Sequence, residues 1–101
     1  MQFLSRDDII NDLQQSFQTY INKYGLDDIG IFEEEGRGNQ YYIGFTAKKA
    51  GRTYHIHAPF IKNQNGELTP SQNDWTIESD EPDGKDLHGF NDVESALSEI
   101  Q

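Results

Sequence analysis

Residues 40–61 read QYYIGFTAKKAGRTYHIHAPFI, and their apolar side chains fall at alternate positions on both sides of a break at Lys49-Ala50-Gly51. Alternation of period two marks a strand with one buried face, because successive side chains leave a pleated chain on opposite sides. From Gln40 to Lys48, the residues Tyr41, Ile43, Phe45 and Ala47 share one face, and Tyr42, Gly44, Thr46 and Lys48 share the other. From Arg52 to Ile61, the residues Tyr54, Ile56, Ala58 and Phe60 turn inward, while Thr53, His55, His57, Pro59 and Ile61 turn outward. The segment reads as an antiparallel hairpin with a buried face and a polar outer face. Pro59 has no ladder N–H, so the second strand is expected to become irregular there or to lie at an edge.

Working outward, Asp28 to Glu35 predicts a strand with Ile29 and Ile31 on one face and Phe32 on the other, followed by turn residues Gly36 to Asn39. Asn65-Gly66 signals a further turn, and Asn73 to Ser79 a last strand with Trp75 and Ile77 buried. Before the sheet, apolar residues recur at Ile9, Ile10, Leu13, Phe17, Tyr20, Ile21 and Tyr24, the stripe of one continuous helix. Ser5 is its expected N-cap, Leu4 and Ile9 its hydrophobic staple, and Gly25 its left-handed C-terminal stop, with Leu26 touching Ile21. After the sheet, Asp80 to Gly89 reads as a solvated loop. Asn91 with Glu94 is expected to cap a closing helix that carries Val93, Ala96, Leu97 and Ile100. The predicted fold is α+β: a four-stranded antiparallel meander with N- and C-terminal helices on one face, in the order α-β-β-β-β-α.

A chain of 101 residues fits one domain spanning residues 1–101, and its twelve-percent aromatic content compensates for a low apolar fraction of 34%. Aromatic rings must therefore carry much of the packing. The absence of cysteine excludes disulfides, thiolate metal sites and cysteine nucleophiles. No window approaches the roughly 20 apolar residues of a membrane span, so the expectation is a cytoplasmic protein without membrane contact.

Charge is segregated along the chain. Residues 36–66 hold five of the eight Lys and Arg and no acid, between flanks rich in Asp and Glu, within a net charge of −10. Such an island either serves a partner or is neutralised by its acidic neighbours. Lys48, Lys49 and Arg52 cluster at the hairpin tip, and Tyr41 and Tyr54 fall on the core face, so internal neutralisation is favoured over nucleic-acid binding.

Phe3-Leu4-Ser5-Arg6-Asp7-Asp8-Ile9-Ile10, Tyr54-His55-Ile56-His57-Ala58-Pro59-Phe60 and Asp74-Trp75-Thr76-Ile77-Glu78 together resemble a small family of acidic single-domain proteins of low-GC Gram-positive bacteria, a domain of unknown function. The resemblance spans nearly the whole chain. It implies a cytoplasmic bacterial protein and brings no catalytic motif with it.

Several constellations bear on chemistry. His55 and His57, two apart on a strand, project from one face roughly 7 Å apart, a spacing that a metal ion bridges when a carboxylate or His88 completes the set. A lone His-x-His is otherwise a pair of surface imidazoles beside Tyr42 and Thr46. In Glu33-Glu34-Glu35 the middle carboxylate points away from its neighbours, which reads as a solvated strand end rather than a site. Asp80, Glu81, Asp83 and Asp86 lack the register of a calcium loop. Gly36-Arg37-Gly38 lacks the third glycine and following helix of a phosphate-binding loop. No serine sits in a nucleophile elbow.

The reading that follows is a non-enzymatic module, without a cofactor, that recognises another protein or itself through its sheet. Tyr42, His55 and His57 on the outer face, with Lys48, Lys49 and Arg52 at the hairpin tip, are the candidate contacts. The alternative is a small ligand- or metal-binding protein centred on His55 and His57.

Overall fold

The computed structural model describes residues 2–80 and 84–100. Helices α1 (Arg6–Gln14) and α2 (Phe17–Tyr24) precede strands β1 (Asp28–Glu35), β2 (Gln40–Lys49), β3 (Arg52–Lys62), β4 (Leu68–Pro70), β5 (Trp75–Ser79) and β6 (Leu87–Phe90), and helix α3 (Val93–Leu97) closes the chain. All pairings are antiparallel, in the order β1-β2-β3-β5-β6, with β4 also paired to β3. The sheet therefore has six strands, not the expected four.

The extra strands have local causes. β3 is eleven residues long and serves two partners along one edge: Tyr54 to His57 pair with β5, and Phe60 to Lys62 pair with β4. Pro59 falls between them, with its carbonyl accepting from the Ser71 N–H at 3.1 Å. In an extended chain the N and C=O of one residue point to the same edge, so the missing donor of Pro59 lies at the gap between β5 and β4. The strand runs straight through the proline instead of becoming irregular. β6 lies inside the stretch expected to be loop, where the Asp74 carboxylate accepts from the Gly89 N–H at 2.8 Å and holds the short strand against β5. Glu81 and Asp83 of that acidic stretch lie outside the described residues.

The β2–β3 register pairs Lys49 with Arg52 and Gly44 with His57, and the two-residue turn places Ala50 at φ 53° and Gly51 at φ 78°. Positive φ at both turn positions matches the right-handed twist of the flanking strands. The Asp27 carboxylate steadies the turn by accepting from the Ala50 N–H.

All three helices pack on the predicted inner face. Ile43, Phe45, Ala47, Tyr54, Ile56 and Ala58 are buried there. Phe45, at 1% exposure, meets Phe17 and Tyr20 edge-on with centroids 6.0 and 5.6 Å apart. Aromatic packing of this kind contributes about 0.5–1.5 kcal/mol per pair beyond area burial. Ala96, Leu97 and Ile100 bring α3 onto the same core.

The single expected helix is broken at Gln15-Ser16. The Ser16 N–H bonds to the Leu13 carbonyl, a tightened turn, before α2 resumes. The break lets the two halves of the stripe serve two clusters: Ile9 packs with Ile43 and Leu68, whereas Phe17, Tyr20, Ile21 and Tyr24 pack around Phe45, and Leu13 touches both. Gly25 ends α2 in the left-handed conformation, as expected, and the Leu26 N–H bonds back to the Ile21 carbonyl. The chain ends add two features that the local patterns do not announce. The Leu4 backbone forms a bridge to Leu68 and covers the outer edge of β4. The closing helix is capped by Asp92, whose carboxylate accepts from the Ser95 N–H at 2.7 Å, not by Asn91.

Candidate functional site

The outer sheet face carries none of the described helices, yet it is not a uniform polar surface. Its central row runs across the strands as Phe32, Gly44, His57 and Thr76, each paired with the next. Because position 44 has no side chain, Phe32 reaches over β2 and stacks on His57, with centroids 5.1 Å apart and planes at 22°. Phe32 also lies 4.9 Å from the His55 ring, and Tyr42 meets His57 edge-on at 5.5 Å. His57 is consequently buried, at 8% exposure, where the sequence pattern places it in solvent.

Gly44 is required by the backbone as well. A Cβ built there would stand 1.8 Å from the Ile56 carbonyl oxygen and 2.7 Å from the His57 Cα. β2 approaches β3 too closely at this point for any side chain.

The ring nitrogens are engaged by neighbours on the sheet. His57 Nε2 lies 2.6 Å from Glu78 Oε1, His55 Nδ1 lies 3.0 Å from Thr46 Oγ1, and His88 Nδ1 lies 3.0 Å from Thr76 Oγ1. His55 Nε2 also stands 3.6 Å from Asp80 Oδ1. The metal geometry suggested by His-x-His is not assembled: among the described residues no group of three or more His, Asp or Glu side chains is placed to hold an ion.

Two concavities flank Tyr42. One, of about 370 Å³, is lined by Glu34, Glu35, Gly36, Tyr42, His57, Thr76, Glu78, Asp86 and His88. The other, of about 380 Å³, is lined by Asn39, Gln40, Tyr42, Pro59, Phe60, Ile61, Ser71 and Gln72. The structure thus brings Tyr42, His55 and His57 together, adds Phe32, Thr76, Glu78 and His88, and leaves Lys48, Lys49 and Arg52 at the far end of the hairpin. Lys48 lies on the outer face one pair beyond Thr46–His55, toward the hairpin tip. Lys49 is turned to the Ile100 carbonyl, 3.3 Å away.

The three consecutive glutamates divide by face. Glu33 receives a two-pronged contact from Arg6 and a 2.9 Å hydrogen bond from Tyr41, and these hold its carboxyl below the usual range. Burial, with the neighbouring Glu33 carboxylate, pushes the Tyr41 phenol up. Glu35 pairs with Lys62 at 3.1 Å, so one base of the central island is neutralised by the acidic strand beside it. Glu34 points the other way, into the acidic concavity. The role of Phe32 was hidden in the sequence because it depends on Gly44 lying in register between two strands.

An antiparallel sheet with its described helices on one face and a built aromatic–histidine cluster on the other places the protein among α+β sheet domains. The chain belongs to the family of unknown function DUF5634, whose model matches residues 3–100. No curated protein matches it. Among the described residues no helix is long and apolar enough to cross a membrane.

Proposed function

We propose that this protein is a cytoplasmic, non-enzymatic module that binds another protein through the outer face of its sheet. The observation that carries this reading is the Phe32–His57–Tyr42 cluster on a face that none of the described helices covers. Aromatic side chains fixed by stacking are effective anchors, because little rotamer freedom remains to be lost on binding. The concavities on either side of Tyr42 give such an anchor a shaped surround.

Affinity capture from native extract tests the reading, with the wild-type protein compared against a Tyr42→Ala variant and a Gln18→Ala control on the exposed side of α2. A partner that is kept by wild type and control and lost by the Tyr42 variant is the expected result. Retention by all three, or no partner from any, overturns it.

A further inference from the structure

We infer that the segment this face takes is an extended, basic stretch of a partner protein, with a Lys or Arg side chain seated in the acidic concavity and a neighbouring uncharged residue in the second one. The inference rests on the contact-face reading above and adds the chemistry of the occupant.

Charge complementarity carries it. The acidic concavity crosses the sheet from Glu34 on β1 to Asp86 and His88 at β6, with Tyr42 and His57 on its floor, and no Lys or Arg lines it. Its carboxylates are not equivalent. Glu35 is engaged by Lys62 and Glu78 by His57, but Glu34 and Asp86 have no hydrogen-bond or ion-pair partner among the described residues, and both are exposed. The two walls therefore present negative charge that no described residue pairs. Glu34 sits directly opposite Tyr42 in the β1–β2 register, so a cation bound to it lies beside an aromatic ring. About 370 Å³ falls at the low end of pockets that take a small ligand, roughly 300–1,000 Å³, and suits a single long side chain.

The second concavity argues for a chain segment rather than a free amine. It shares Tyr42 with the first but is lined by amides, a hydroxyl and the apolar surfaces of Pro59, Phe60 and Ile61, and none of its described lining residues carries a formal charge. Alternate side chains of an extended peptide point the same way about 7 Å apart, so one strand-like segment crossing Tyr42 fills both.

The test is a titration of ¹⁵N-labelled protein with three capped octapeptides: Lys-Thr-Val-Thr repeated twice, which sets Lys and Val alternately along one face, the same with Gln at every basic position, and the same with Glu. The basic peptide is expected to shift amides of β1, β2, β3 and β5 around Tyr42 and His57. Its affinity should fall at least tenfold in the Glu34→Gln/Asp86→Asn double variant and several-fold when salt is raised from 50 to 200 mM. Equal binding of the Gln or Glu peptide at this face overturns the basic assignment while leaving the contact-face reading standing. Shifts confined to Asp7, Asp8 and Asp12 on α1, or no shifts with any peptide, overturn it as well. Shifts that grow with protein concentration alone show a second copy docking its Lys48, Lys49 and Arg52 tip, and overturn the assignment to another protein. Unchanged spectra of the double variant away from residues 34 and 86 establish that the fold is intact.

Discussion

The Phe32 ring stacks on the His57 imidazole across a strand that contributes only Gly44 between them, with centroids 5.1 Å apart and planes at 22°. This relationship joins three strands on a face that none of the described helices supports. It also buries a histidine that would otherwise be solvated.

Gly44→Ala should destabilise the fold by about 1–3 kcal/mol, the usual cost of forcing atoms into a packed site. The nearest obstacles are backbone atoms of Ile56 and His57, which cannot rotate away. Gly30→Ala is the control, since a Cβ there meets nothing within 4 Å. That control should be neutral or slightly stabilising. Urea unfolding of both variants checks the contrast.

Removing the Glu78 carboxylate should reveal its coupling to His57. Glu78→Ala leaves a buried imidazole without its 2.6 Å partner, and the expected loss is about 1–3 kcal/mol. A double-mutant cycle with His57→Phe, which keeps a ring under Phe32, should show the Glu78 effect shrinking when the imidazole is already gone.

Acid should weaken the protein partly through Glu33. Its carboxyl is depressed below the ordinary value of 4.5, first by the Arg6 hydrogen bond and then by Tyr41. A group depressed on folding contributes stability that is complete above its unfolded value and is lost as pH falls through its folded value. Thermal unfolding between pH 7 and pH 3 should therefore fall less steeply in Glu33→Gln than in wild type. Glu94, held down by Lys23 and Tyr24, and Asp92, held down by the Ser95 N–H, add in the same direction.

Asp92→Ala should lower Tm by a few degrees, whereas Asn91→Ala should leave it nearly unchanged. Of the two, it is the Asp92 side chain that accepts from the Ser95 N–H in the first turn of α3. Calorimetry on the two variants distinguishes the caps directly.

The central hairpin, its partition into faces and the helical stop at Gly25 were legible because each follows from a local period or a single backbone requirement. The break at Gln15-Ser16 was not, since neither glycine nor proline marks it and it answers to two clusters on the sheet. β6 was masked by its surroundings: Leu87 to Phe90 is short, follows an acidic run and depends on Asp74, fifteen residues earlier, to hold Gly89. Of the candidate site, Tyr42, His55 and His57 were visible from alternation. His88 was foreseen only as a third metal ligand; its place beside Thr76, like the places of Phe32 and Glu78, follows from strand order and register, which composition does not encode.

The most direct test of the central claim is site-specific photocrosslinking in native extract, with a benzophenone amino acid placed at Tyr42 on the outer face or at Gln18 on α2. The account predicts a discrete adduct from position 42, abolished by excess basic octapeptide, and none from position 18. An adduct from position 18 alone, or none from position 42, would contradict it.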